Sequence, residues 1–336
     1  MCFGGECIMA GIRKPPVMTG VFSETANAFI QYKRDCGLKY DNEPKCLSRF
    51  CRFAEEYGVT SVEISRELAE AWAAPREGEA VKSRSHRITC VRQFALYLDS
   101  MGYHAYLLPE QKGIHSSSFV PYVFTHEQIS ALIRAVDSTE PWEGSKNMHL
   151  ALPVIFRILY CCGLRVSEVC NLEFRDVNLD AGILTIREPK NGSDRYIPLS
   201  ESVREACVNY AEHIWWEKDN EPFFMAPDRT KISPMTIYQR YRRYLLEAGI
   251  SHGGKGQGPR LHDLRHTFAV HVLQKWINAG TDLTAMMPIL STYMGHKGIQ
   301  STAKYLRLTA EVYPELMRKV EENCGYVIPE VVHEGD

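Results

Sequence analysis

Apolar residues begin to recur at helical intervals near Phe22. Ser23-Glu24-Thr25-Ala26 reads as a helix start, and Ala26, Phe29, Ile30 and Lys33 keep the i, i+3, i+4 spacing of one helix face. The same period predicts helices near Pro44–Tyr57, Ser61–Ala73 and Glu79–Met101, the last with Ile88, Val91, Phe94, Ala95 and Leu98 in one line. Four helices with short connections predict a compact helical domain over 21–108. Residues 1–20 lack pattern and are expected to be a flexible N-terminus. Residues 109–121, with Gly113 and Ser116–Ser118 inside, have the chemistry of a linker.

A second domain is expected over 122–336. Thr125 followed by Gln128 is a capping-box pattern ahead of Ile129, Leu132 and Ile133. Leu150–Cys162 predicts a mostly apolar helix ended by Gly163. One clear β signal follows: Gly182–Arg187 and Arg195–Leu199 flank Asn191-Gly192, a strong hairpin-turn pair. Helices are predicted over Ser200–Trp216, Pro234–Ala248, Leu261–Ala279, roughly Leu283–Met294, and finally about Thr309–Glu322, where Val312, Leu316, Met317 and Val320 share a face. The fold class predicted is mainly α with a small antiparallel β-sheet.

Composition narrows the setting. Hydrophobic residues are 45% and charged residues 24% of 336, the mix of a globular protein with a real core. The longest apolar stretch, Leu150–Leu164, is interrupted by Arg157 and falls short of the roughly 18 residues that a membrane span needs. The eleven cysteines contain no CxxC pair, which favours free thiols in a reducing compartment and a cytoplasmic location over a disulfide framework. The formal net charge of −2 hides an asymmetry: residues 229–307 alone carry net +9, whereas 113–228 carry −7 and 308–336 carry −5. Such a basic stretch suits phosphate, although a solvated basic face has the same count.

The densest chemistry is Leu261-His262-Asp263-Leu264-Arg265-His266, at a helix start after the glycine-rich Gly253–Gly258 loop. Two imidazoles and a guanidinium within a turn and a half are costly to bury unless an anion meets them, and a helix start favours one. His262 and His266 have the i, i+4 spacing of a zinc helix, but Asp263 stands where the metalloprotease glutamate belongs and Arg265 would repel a dication. Upstream lies Gly163-Leu164-Arg165-Val166-Ser167-Glu168. Lys190 sits in the hairpin turn. Downstream, Met294-Gly295-His296 precedes Tyr305 by nine residues, counted from the histidine. Each of these alone reads more readily as an ion-paired surface arginine, a solvated lysine or a core tyrosine.

Taken in order, GLRVSE, the hairpin lysine, HDLRH, MGH and the tyrosine resemble the tyrosine recombinase (phage integrase) family, of Xer-like or transposon-borne type. The resemblance covers roughly Phe124 to Arg318. It implies a catalytic domain preceded by the family's core-binding, DNA-binding domain. Tyr305 would be the nucleophile, Arg165 and Arg265 a phosphate clamp, and Lys190 the general acid. His262 would transfer or share a proton, and His296 would donate a hydrogen bond. Glu168 would buttress the site, and His266 would serve helix packing or support the site from behind rather than catalyse. The implied activity is site-specific recombination through a covalent 3′-phosphotyrosyl intermediate and a Holliday junction, in integration or excision of a mobile element.

That chemistry suits these residue types. Arginines present planar paired donors to non-bridging oxygens. A phenol with a pKa of about 10 must lose its proton as it attacks, and the departing 5′ oxygen must gain one. A covalent phosphotyrosine conserves bond energy, so no cofactor or metal is expected. The implied partners are double-stranded DNA with inverted-repeat core sites and a homotetramer synapsing two sites, with an accessory protein open and no membrane. Arg84, Arg87 and Arg92 in the first domain and Arg240, Arg242 and Arg243 in the second, with Tyr238 and Tyr241 beside them, are the DNA-binding candidates. The final helix would pack on its own domain or dock into a neighbouring subunit. Two rival readings stay open: a type IB topoisomerase, marked by supercoil relaxation without a defined site, and a DNA-binding module with a lapsed active site, in which Tyr305→Phe would change nothing.

Overall fold

Helix α1 (Ser23–Asp35) buries Ala26, Phe29 and Ile30, the spacing that predicts it. The structure is a computed structural model that describes residues 16–110, 120–142, 144–145, 147–187, 194–254, 258–296 and 298–313. Helices α2 (Glu43–Glu56), α3 (Arg66–Ala73) and α4 (Val81–Ser100) complete the first unit. α3 starts five residues later than the periodicity suggests. Ser65 caps it by accepting a hydrogen bond from Leu68 N, while Ile64 is held in a short β-bridge with Ala105. The Phe94 ring of α4 is the hub of this core, with ring centroids 5.5 Å from Phe29, 5.9 Å from Phe22 and 6.4 Å from Phe50. The chain divides between Phe119 and Val120 into two compact units; residues 111–119 of the expected linker lie outside the described residues.

The second unit opens with α5 (His126–Asp137), whose capping box pairs Thr125 and Gln128 reciprocally. Then come α6 (Met148–Cys161), the short α7 (Val166–Cys170), and a single 3-10 turn (Phe174–Asp176). Strands β1 (Val177–Asn178), β2 (Ile183–Ile186) and β3 (Arg195–Pro198) form an antiparallel sheet in the order β1-β2-β3. Its register sets Leu184 opposite Val177 and Ile197. β1 has only two residues, too few for a period to show. The hairpin turn, Lys190 included, lies outside the described residues.

Five further helices are described: α8 (Glu201–Ala211), α9 (Pro234–Glu247), α10 (Asp263–Asn278), α11 (Leu283–Met294) and α12 (Gln300–Val312). α8 ends at Ala211 instead of continuing to Trp216, whose ring turns aside to stack on Phe223 at 5.4 Å. The start of the last predicted helix is corrected. Its described part is the end of α12, which starts nine residues earlier and buries Thr302, Tyr305, Leu308 and Thr309. A polar threonine at two of those four inward positions conceals the stripe from a hydrophobicity reading. Residues beyond Tyr313 lie outside the described set.

The cores explain the placement of the site. α6 is apolar nearly all round, burying Ala151, Leu152, Ile155, Phe156, Ile158 and Leu159. α10, α11 and α12 share a second cluster in which Tyr305 packs with Leu273, Met287 and Leu290. The mainly helical architecture with one small sheet is as predicted. Among the described residues, no helix is long and apolar enough to cross a membrane.

Candidate active site

Two glycines bring the distant motifs together. Gly163 ends α6 with φ +59°, and a Cβ there would sit 2.3 Å from Phe268 of α10. That close approach lets the Gly163 carbonyl accept a 2.7 Å hydrogen bond from Arg265 Nη1. Gly295 caps α11 with φ +64°, and a Cβ there would lie 2.9 Å from Arg195 Nη1. Its carbonyl accepts from Arg165 Nη2 at 3.4 Å. Only glycine meets both demands at these positions, left-handed backbone and no side chain.

Arg265 is almost fully buried. Besides Gly163 O it donates to Met294 O, and it meets His296 Nε2 at 3.1 Å. Burial first, then the charge of Arg165, lowers its pKa to about 10, so it remains a cation at neutral pH. A guanidinium has no acceptor, hence His296 Nε2 must accept from it. His296 Nδ1 therefore carries the proton and donates to Thr302 Oγ1 at 2.7 Å. Burial, then Arg265 and Arg165, hold the His296 pKa down to about 4, in accord with a neutral ring.

Glu168 is the counter-charge. It is buried, and its carboxylate accepts from Arg165 N at 2.9 Å and Arg165 Nη1 at 2.7 Å. It accepts also from Arg195 Nη2 at 2.9 Å and Nη1 at 3.2 Å. Burial works to raise its pKa, but the Arg195 and Arg165 hydrogen bonds and charges outweigh it and leave the pKa lowered. The expected buttressing contact is present. Arg195 escaped the sequence reading, and it ties β3 to α11 through a 2.9 Å bond from Nε to Tyr293 O. A signal existed: β3 alternates, so Arg195 shares the inward face with Ile197, and an inward charge demands a partner.

Tyr305 is 1% exposed, and its hydroxyl lies 3.0 Å from His266 Nδ1. Burial raises its pKa, while Arg265 and Arg165 oppose the rise. The His296 ring stacks at 6.1 Å. Lys304 Nζ lies 5.2 Å from the centroid of the Tyr305 ring. Its own pKa is lowered, first by burial and then by Arg265. His262, the cap of α10, is exposed to solvent and contacts His266 edge-on at 4.8 Å. Crowding by protein, then Arg265 and Arg165, lowers its pKa to about 4. Arg165, His262, Arg265, His296 and Tyr305 thus share one site. Lys190 lies outside the described residues.

Residues 122–312 match the sequence profile of the Phage integrase family. The chain belongs to that family. The recombinase is 28% identical over 306 residues to the putative integrase/recombinase y4rB of Sinorhizobium fredii, an overlap covering 89% of this chain and 97% of that protein. It is 30% identical over 204 residues to tyrosine recombinase XerA of Pyrococcus furiosus, covering 60% of this chain and 62% of that one. Two solved structures share the fold. XerH bound to palindromic difH substrate gives TM-score 0.62 at 15% identity, covering 89% of this chain and 93% of that chain. The Tn1549 transposon integrase with a circular intermediate DNA gives 0.60 at 17%, covering 84% and 94%. The sequence reading as an Xer-like or transposon-type tyrosine recombinase, a site-specific recombinase enzyme, holds.

The DNA-binding candidates divide. Arg87 is corrected: it is 3% exposed, paired with Glu79 at 2.6 Å, bonded to Ala74 O at 3.0 Å and set over the Trp72 ring at 5.1 Å. Its position on the inner side of α4, one residue before Ile88, commits it to the core. Tyr241 is likewise buried. Arg84 is half-buried and bonds Ala73 O at 2.8 Å. Arg92 is half-buried with Nε lacking a partner among the described residues. On α9, Arg240 stacks on Trp142 at 4.0 Å, Arg243 pairs with Glu247 at 2.6 Å, and Arg242 is exposed.

Proposed function

We propose that this recombinase cuts one strand of double-stranded DNA at a time, holding the 3′ end as a phosphotyrosine on Tyr305, and rejoins strands pairwise through a Holliday junction. The observation that carries the reading is the placement of the Tyr305 hydroxyl in one cluster with two arginines, Arg265 bonding His296 and Arg165 bonding the turn beside it. Arg165 and Arg265 neutralise the non-bridging oxygens as charge gathers there, already oriented by Glu168 and by carbonyls. His262, open to solvent at the start of α10, and His296 complete the donors around that phosphate. Lys190 supplies the leaving-group proton, and religation reverses each transfer. The core-binding role of residues 21–108 is part of this reading, with Arg84, Arg92, Arg240, Arg242 and Arg243 against DNA. So are a homotetramer on two inverted-repeat sites, a cytoplasmic location and service to a mobile element.

The test is covalent capture. Nicked duplexes of randomised sequence are incubated with the protein in EDTA and resolved in SDS, wild type beside Tyr305→Phe. A protein–DNA band from wild type that is absent from the variant supports the reading. No band from wild type, or a band that survives the substitution, refutes it. Relaxation of supercoiled plasmid without a preferred site would favour the topoisomerase reading instead.

A further inference from the structure

We infer that His266 is the group that takes the hydroxyl proton from Tyr305 as the tyrosine attacks phosphorus. The inference deepens the strand-cleavage reading above and rests on it. His266 Nδ1 lies 3.0 Å from the Tyr305 hydroxyl, and both side chains are buried, at 6% and 1% exposure. That is contact with the reacting atom at the distance proton transfer requires. His262 meets His266 only ring to ring, at 4.8 Å, and His296 has both nitrogens engaged, by Arg265 and Thr302.

The direction of the bond follows from charge. Arg265 faces Tyr305 as a cation and is one of the charges that oppose the rise in its pKa; a cation beside the hydroxyl oxygen turns the phenol proton away from itself, toward the imidazole. His266 is then the tautomer with its proton on Nε2 and a lone pair on Nδ1. The groups facing His266 keep it that way. Burial first, then His262, Lys304, Arg260 and Arg265, lower its pKa to about 3, so at neutral pH the ring is empty of the proton it must receive. A phosphodiester seated on Arg165 and Arg265 brings negative charge close by and raises the proton affinity of His266 at the moment of attack.

The step balances. The Tyr305 O–H bond breaks and its proton moves to His266 Nδ1. A bond forms from the Tyr305 oxygen to phosphorus, and the bond from phosphorus to the 5′ oxygen breaks. That oxygen gains a proton from the general acid, the role given to Lys190. On religation the proton on His266 returns to Tyr305. The placement of His266 on α10, one residue after Arg265, also means that the helix that fixes the phosphate clamp fixes the base.

The test uses the full-length protein and the duplexes captured covalently by wild type from the randomised nicked pool. Single-turnover adduct formation is followed from pH 6 to 9.5 for wild type, His266→Asn and His266→Ala, with DNA retention in a native gel as the control for folding. His266→Asn keeps an acceptor near Nδ1 but cannot take a proton. We expect it to lose about 100-fold or more in rate, within the range of general-base catalysis, with the residual rate climbing steadily toward high pH. Imidazole in the buffer is expected to restore part of the rate of His266→Ala. His266→Asn within about threefold of wild type with the same pH profile would overturn the inference. So would a wild-type histidine ¹⁵N spectrum showing the His266 proton on Nδ1, a result independent of any variant. If wild type captures no DNA at all, the cleavage reading itself fails, and that outcome is distinct from a His266 substitution without effect.

Discussion

Glu168→Gln is expected to destabilise the second unit and loosen the proposed Arg165–Arg265 phosphate clamp together. The carboxylate is 5% exposed and takes four hydrogen bonds, two each from Arg165 and Arg195, at 2.7–3.2 Å. Four donors fill the accepting capacity of a carboxylate. Glutamine leaves one accepting oxygen and turns an NH₂ toward guanidinium donors, so the buried Arg195 loses its counter-charge. Breaking a buried pair from one side costs about 3–5 kcal/mol. Urea unfolding of the intact chain, followed by circular dichroism, should show a loss in that range. Arg195→Met should cost less on its own than Glu168→Gln, because it removes the buried charge that needs pairing. The double variant should be more stable than the sum of the two by about 1.5 kcal/mol or more. Adduct formation should fall by about tenfold or more, since Arg165 then competes with Arg195 for one amide oxygen and otherwise has the Gly295 carbonyl at 3.4 Å. A loss below about 1 kcal/mol for Glu168→Gln, or strict additivity, would refute this account of the site.

Further outcomes follow from the same geometry. Gly163→Ala should destabilise by about 2 kcal/mol or more and cut strand cleavage, because the new Cβ would sit 2.3 Å from Phe268 with φ at +59°; thermal melting and adduct assays check it. Acid should weaken the fold: His266 has its pKa lowered to about 3, so its contribution is complete above about pH 6.5, the ordinary histidine value, and declines as pH falls toward 3. Melts at pH 7.5, 6.5, 5.5 and 4.5 should show this decline, and His266→Phe should flatten it by up to about 1.4 kcal/mol per pH unit. Arg87→Met should lower stability, measured by urea unfolding, with loss of the Glu79 pair, whereas Arg242→Ala should leave the melt unchanged. If Arg242 meets a phosphate, its loss should reduce the salt slope of DNA retention by about one.

The local part of this fold was legible because it rests on interactions a few residues apart. The capping box at Thr125 and Gln128, the cap at Gly163, and the stripe Ile88, Val91, Phe94, Ala95, Leu98 are all where the periodicity and residue types put them. So is the antiparallel pairing of the two strands flanking Asn191-Gly192. The order of motifs likewise carried the family. The start of α12 was lost because its inward face uses Thr302 and Thr309 beside Tyr305 and Leu308. Hydrophobicity does not register a threonine that is satisfied inside the protein.

What only the tertiary structure decided is which side chains meet across the chain. Glu168 and Arg195 are 27 residues apart, and His266 and Tyr305 are 39 apart. Neither pair shares a helix face or a strand register that spacing could reveal. The opposite fate of Arg87 and Arg242 is of the same kind: both are arginines on helices, but one helix turns its arginine onto Trp72 and Glu79 and the other leaves it in solvent. Sequence determined the elements and the chemical types at the site, since propensity, capping and residue identity are local. Packing decided which imidazole stands against Tyr305 and which carboxylate holds Arg165 and Arg195, since burial and charge pairing depend on neighbours brought close only by folding.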